Sequence, residues 1–123
     1  MNNNLMIFEN PEFGAVRSIL IDGDPWFVAA DVCKALELEK TNRALSRLDD
    51  DEKGAHSVST PGGRQRMSII SESGLYSLIL GSRKPEARAF KRWITHEVIP
   101  SIRKHGAYMT DSLLDALEAH PEA

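Results

Sequence analysis

Ten side chains in this sequence are of the types that grip phosphate or read base edges, and they fall into three groups. Asn42, Arg43 and Arg47 form the first, Arg64 and Arg66 the second, and Arg83, Lys84, Arg88, Lys91 and Arg92 the third. Arginine meets a phosphate or a guanine edge with paired N–H donors, asparagine pairs similarly with adenine, and lysine supplies a point charge. From Arg83 to Lys104 seven basic residues stand against Glu86 and Glu97, a +5 segment in a chain of net charge −3. A solvated surface helix also carries charge, so a basic run alone decides nothing. The local surplus within an acidic chain favours a surface for an anionic partner.

The residue types needed for catalysis do not come together in the same way. His56, His96, His105 and His120 form no i, i+4 pair, and Cys33 stands alone. A structural zinc site needs four closely placed ligands, and the Asp49-Asp50-Asp51-Glu52 run lacks the spacing of a calcium loop. Gly62-Gly63 is not followed by the Lys-Ser/Thr of a phosphate cradle, and neither G-x-S-x-G nor G-x-G-x-x-G is present. No cofactor or metal is expected, and an enzyme is the least favoured class.

Length and composition narrow the choice further. A chain of 123 residues is about one domain, with 41% apolar and 27% charged residues, ordinary for a globular protein. No apolar run approaches the ~20 residues that span a bilayer, and MNNNLMIFEN lacks the charged and apolar regions of a signal peptide. The expectation is a cytoplasmic protein with no membrane partner. Cys33 reads as a small core side chain. A pI of 5.8 argues against a general polycation, so nucleic-acid contact must come from a local patch.

The elements that must carry these residues follow from period and punctuation. Short strands are expected at Met6–Phe8, Val16–Ile21 and Trp26–Val28, with a reversal at Asp22-Gly23, making a three-stranded antiparallel sheet. The period then changes to helical over Ala30–Leu36. Glu37 to Lys40 makes a turn, and Thr41 is placed to cap a second helix over Asn42–Leu48. There Ala44, Leu45 and Leu48 share one side while Asn42, Arg43, Ser46 and Arg47 share the other. Such a helix pair resembles a helix-turn-helix in layout. Strands at Ser57–Thr60 and Arg66–Ile70 around Pro61-Gly62-Gly63 add a hairpin with a basic tip, as in a winged helix. The Asp49–Glu52 run would repel phosphate if it faced the same way.

Farther along, Ser71 is expected to cap a helix whose Leu75, Leu78 and Ile79 repeat at helical spacing, with Gly81 closing it. Pro85 suits the first turn of the next helix. Phe90, Trp93, Ile94 and Val98 fall on one side of it, and Arg88, Lys91, Arg92 and Thr95 on the other. Pro100 predicts a kink or restart, and Gly106 the end of the final turn. Trp26, Trp93, Tyr76 and Tyr108 read as core residues. Residues 109–123 read as a peripheral helix or linker beyond a domain of residues 1–108, with Asp111 as cap and Leu113, Leu114 and Leu117 as its apolar side. The expected class is therefore α+β: a small antiparallel sheet with an N-terminal hairpin, a winged-helix-like helix pair plus β-hairpin, and C-terminal helices.

Several blocks together resemble a known family. They are Asp24-Pro25-Trp26-Phe27-Val28-Ala29-Ala30-Asp31-Val32, Ile70-Ser71-Glu72-Ser73-Gly74-Leu75-Tyr76-Ser77-Leu78-Ile79 and Ser82-Arg83-Lys84-Pro85-Glu86-Ala87. Phe90-Lys91-Arg92-Trp93 and Val98-Ile99-Pro100-Ser101-Ile102-Arg103-Lys104-His105-Gly106-Ala107-Tyr108 complete the set. In order and type they resemble the Bro-N domain of phage and prophage antirepressors and baculovirus repeated-ORF proteins. The resemblance covers about Leu5 to Tyr108, with Glu37 standing where many relatives carry glycine.

That resemblance implies an α+β domain tied to DNA binding and to control of phage gene expression, prophage-encoded and housed in a bacterial cytoplasm. It implies no catalytic residue, and a different C-terminal domain commonly follows. Two functional expectations result. One is a DNA-binding regulatory domain, in which Asn42, Arg43 and Arg47 address the groove of a duplex. Arg64 and Arg66 then meet the backbone, and Arg83, Lys84, Arg88, Lys91 and Arg92 form a second phosphate-facing band. The other is a module that captures a phage or host repressor without touching DNA. A homo-oligomer is compatible with both.

Overall fold

Asp22 and Gly23 both adopt positive φ, 53° and 85°, the backbone of a tight hairpin turn whose twist matches its strands. In this computed structural model, which describes residues 5–109, that turn joins β2 (Gly14–Ile21) to β3 (Asp24–Val28). Before them β1 (Leu5–Asn10) pairs antiparallel with β2 from Leu5↔Ile19 to Asn10↔Gly14. The Asn10 side chain accepts hydrogen bonds from Glu12 N at 2.7 Å and Phe13 N at 3.2 Å, closing that turn.

The three expected N-terminal strands do not stand alone. β4 (Lys53–Thr60) and β5 (Gly63–Ser71) form the expected hairpin, longer than its strand-forming residues suggested. β5 then pairs with β3 at Trp26↔Ser71, Phe27↔Ile70 and Val28↔Ile69, giving one five-stranded antiparallel sheet in the order β1-β2-β3-β5-β4. Two strands separated by some forty residues of chain meet because Phe27 and Ile70 both bury fully under the helices. The domain is α+β, as its sequence pattern predicted.

All described helices but a short turn pack on one face of this sheet. α1 (Ala29–Ala35) follows β3 directly and is clamped to β2 by Asp31. The Asp31 carboxylate accepts from Arg17 Nε and Nη2, each at 2.9 Å, and from the Arg17 backbone N–H at 2.9 Å. That bidentate grip holds the Arg17 guanidinium charge more firmly than usual, through the Asp31 hydrogen bond first. Asp31, which belongs to one of the family-like blocks, is therefore a fold clamp.

The second helix, α2, spans Thr41–Leu45, shorter than the Asn42–Leu48 expected. Lys40 occupies the cap position and Thr41 begins the helix. The early end has two causes. Ser46 Oγ donates to Arg43 O at 2.7 Å, and Arg47 N and Leu48 N turn to the i−3 carbonyls of Ala44 and Leu45 at 3.2 and 3.0 Å, a tighter turn whose Leu45 O also accepts from Lys53 Nζ at 3.1 Å. Ala44 and Leu48 still bury as expected.

A 3₁₀ turn over Asp50–Glu52 leads into β4. Its Glu52 accepts from Asp49 N at 2.9 Å and from Ser73 Oγ in α3 (Glu72–Leu80). Gly74 lets that turn approach: a Cβ there would lie 2.8 Å from the Glu52 carbonyl oxygen. Ser71 caps α3 as expected, accepting from Gly74 N at 3.0 Å, and Gly81 follows its last turn.

α4 (Glu86–Trp93) passes through a π turn (Ile94–Val98) into α5 (Ile99–Met109). The wider turn lies immediately before Pro100, whose missing N–H breaks the regular ladder, so the α pattern restarts there. The helix runs past Gly106 to Met109, because one glycine costs only about 1 kcal/mol and does not by itself end a helix. Phe90, Trp93, Ile94 and Val98 all bury. Phe13, from the β1–β2 turn, packs edge-on to Phe90 at 5.2 Å and stacks on Trp93 at 6.0 Å. A second, smaller cluster of Ile19, Val28, Val58 and Ile69, flanked by half-buried Trp26, occupies the sheet's other face. The expected helix with Leu113, Leu114 and Leu117 lies outside the described residues.

Candidate nucleic-acid interface

The sheet register decides where the hairpin arginines point. Cross-strand partners share a face, and every second residue of a strand returns to it. Ile70 is fully buried beneath the helices, so Arg66 and Arg64 on β5 also project to the helix side. They stand opposite Ser57 and Ser59, where Arg64 Nη1 reaches Ser59 Oγ at 3.4 Å. Lys53, opposite Ile70, projects the same way, and its ammonium holds the last carbonyl of α2. One lysine thus ties the base of the hairpin to the short helix that carries Asn42 and Arg43.

Asn42, Arg43, Arg47, Arg64 and Arg66 are all exposed. Asn42 and Arg43 stand on α2, and Arg47 on the turn after it, whose N–H bonds to Ala44 O at 3.2 Å. A five-residue helix rises only about 7.5 Å, so it offers a single turn to a groove. Lys40 and Arg43 both border an open groove of about 290 Å³ beside α2, together with Glu37, Glu39 and Arg47. Lys40 is a cation that the sequence pattern alone places inside a turn. Its signal was adjacency to Asn42 and Arg43 across the helix start.

Among the described residues, no ion pair joins Arg43, Arg47, Arg64, Arg66, Arg88, Lys91 or Arg92 to the Asp49–Glu52 run; the pairs are Arg17–Asp31, Lys84–Glu37 and Arg103–Glu72. Glu52 is occupied by Ser73 and the Asp49 N–H, which together hold its carboxyl below the ordinary range. Glu37 and Glu39, however, do stand in the groove with Arg43 and Arg47.

Glu37 has φ +59°, unusual for a side-chain-bearing residue. It ends α1 in a left-handed turn, with Leu38 N bonding Cys33 O at 2.7 Å and Glu37 N bonding Lys34 O at 3.1 Å. Glycine is the usual occupant of that position. Lys84 Nζ meets Glu37 Oε1 at 2.7 Å, so one cation of the third group is already paired.

The rest of the third group is divided between a corner and a helix. Arg83 is exposed in the corner before α4. On α4, Arg88, Lys91 and Arg92 face outward, opposite buried Ala87, Phe90 and Trp93, as the helical spacing predicted. They border an open cleft of about 620 Å³ with Pro85, Ala89 and Thr95 along it. Cys33 is buried, and burial pushes its thiol up, in keeping with a core role.

Comparison with known proteins adds the decisive observation. The model of the BRO family N-terminal domain, Bro-N, matches residues 15–100. The chain belongs to that family. Bro-N residues 15–100 run from β2 into α5 and so include all three basic groups. An uncharacterized protein of Haemophilus influenzae is 40% identical over 89 residues, 70% of this chain and 43% of that protein. A Bro-N domain-containing protein of Invertebrate iridescent virus 6 is 32% identical over 111 residues, 75% of this chain and 27% of the relative. A Bro-N domain-containing protein of Acanthamoeba polyphaga mimivirus is 29% identical over 122 residues, 88% of this chain and 50% of the relative. The chain therefore spans half or less of the length of each of these relatives. No solved structure matches it.

Proposed function

We propose that this Bro-N chain is the duplex-DNA-binding regulatory domain of a phage or prophage antirepressor, acting on phage gene expression. The observation that carries the reading is the exposure of Arg43, Arg47, Arg64 and Arg66, with Arg64 and Arg66 projecting from the sheet face on which the helices pack. All four are exposed and without a carboxylate partner among the described residues, and Lys53 links the two elements that bear them. In this reading Asn42 and Arg43 approach base edges while Arg64 and Arg66 meet the phosphate backbone. Arg83, Arg88, Lys91 and Arg92 add a second band of phosphate contacts. Lys84 joins that band only when it leaves Glu37.

The test is the salt dependence of duplex binding by the intact chain and by variants lacking those arginines. Backbone neutralisation releases counterions and leaves a slope, whereas a neutral contact does not.

A second reading is favoured by one feature, the presence of Glu37 and Glu39 in the groove with Arg43 and Arg47. Carboxylates in that position repel phosphate and suit a protein partner of mixed charge, such as a phage or host repressor. Capture of the repressor without any mobility shift on duplex DNA at low salt would select this reading.

A further inference from the structure

The outward face of α4 is cationic, grooved and unpartnered. Arg88, Lys91 and Arg92 are exposed there without an ion pair among the described residues. The cleft of about 620 Å³ beside them has the Pro85 ring and the Ala89 methyl along it, so it offers apolar surface as well as charge. Duplex phosphate makes no use of an apolar floor. A peptide carrying both carboxylates and aliphatic side chains does.

Such a peptide exists in the same chain. Residues 110–123 read TDSLLDALEAHPEA, with Asp111, Asp115, Glu118 and Glu122 and no lysine or arginine. The acids recur at intervals of four, three and four, and Leu113, Leu114 and Leu117 stand between them. We propose that this acidic, leucine-bearing segment docks on the α4 face of its own molecule, its carboxylates on Arg88, Lys91 and Arg92 and Leu117 in the cleft.

The chain length permits it. α4, the π turn and α5 run without a break from Glu86 to Met109. Returning from Met109 to Arg92 covers about 25 Å at helical rise, whereas an extended chain carries Leu117 about 26 Å, Glu118 about 30 Å and Glu122 about 43 Å beyond Met109. Tethering keeps the segment at an effective concentration on the order of millimolar, so a weak contact suffices to populate the docked state. Any other anion must displace it to use this face. The inference stands on charge and reach, and is independent of whether α2 and the hairpin bind DNA.

Zero-length carbodiimide coupling of lysine amines to carboxylates tests it on the full chain, with monomer isolated by size and links mapped by mass spectrometry. The Lys84–Glu37 pair, 2.7 Å apart, reports that the reaction has worked. The expected result is a Lys91 link to Asp115, Glu118 or Glu122 in monomer at low salt. Its yield should fall about tenfold at 0.5 M salt, where screening is short-ranged, and similarly in R88A/R92A. Monomer that carries the Lys84–Glu37 link but no Lys91 link overturns the proposal. Lys91 links confined to the dimer fraction overturn it as well, by assigning the face to a second copy's segment.

Discussion

Lys84 donates a hydrogen bond to Glu37 Oε1 at 2.7 Å, joining the corner before α4 to the left-handed turn that ends α1. That hydrogen bond is the largest reason the Lys84 ammonium holds its proton more tightly than usual. Both partners remain substantially exposed, so the pair matters more for directing charge than for stability. It pairs one cation of the third basic group with one of the two carboxylates that border the groove beside α2.

Replacing Glu37 by glycine separates backbone from charge. The left-handed conformation costs a side-chain-bearing residue about 1–2 kcal/mol, and glycine's extra unfolded-state freedom returns part of that. Glu37→Gly should raise stability by about 0.5–1 kcal/mol and the melting midpoint by roughly 3 °C. Thermal unfolding followed by circular dichroism checks it. A lowered midpoint would mean that the Lys84 contact outweighs the strain.

Lys53 is expected to position α2. Lys53→Met keeps the aliphatic stem but leaves Leu45 O with the Leu48 N–H alone as donor. It should cost about 1 kcal/mol and speed amide exchange in α2 ahead of the rest of the domain. Lys53→Arg should recover part of the protection. Uniform exchange across all helices would assign Lys53 no particular hold on α2.

Acid should weaken the junction between the Asp50–Glu52 turn and α3. Hydrogen bonds from Ser73 first, then from the Asp49 N–H, depress the Glu52 carboxyl in the folded chain below its ordinary value of 4.5. A depressed carboxylate contributes stability that is fully present above that ordinary value and is lost as pH falls through the folded one. Urea midpoints measured from pH 7 to pH 3 should fall in the acid limb, and Glu52→Gln should flatten part of that fall. An identical pH profile for the variant would remove Glu52 from the account.

Local signals made much of this fold legible. Asp22-Gly23 specified its turn by conformational preference, Ser71 its helix by a side-chain cap, and the Phe90–Trp93–Ile94–Val98 spacing its buried face. What escaped depended on partners distant in sequence. The pairing of β3 with β5 needs Phe27 and Ile70 to meet under helices not yet placed. The tighter turn that ends α2 shares its Leu45 carbonyl with Lys53, eight residues further on. The three basic groups were visible as charge, but the engagement of Lys84 by Glu37, and the presence of Glu39 beside Arg43, emerge only when the turn after α1 folds against the corner before α4.

The central claim is a cationic surface shared by α2 and the hairpin, and duplex binding against salt measures it most directly. With roughly five phosphates neutralised, log K against log[salt] should slope at about −4.5. R43A/R47A/R64A/R66A should flatten the slope by about two to three units, R88A/R92A should flatten it by about one to two units, and Arg43→Ala alone should change sequence preference. No duplex binding at about 50 mM salt, or an unchanged slope in the fourfold variant, would contradict the account.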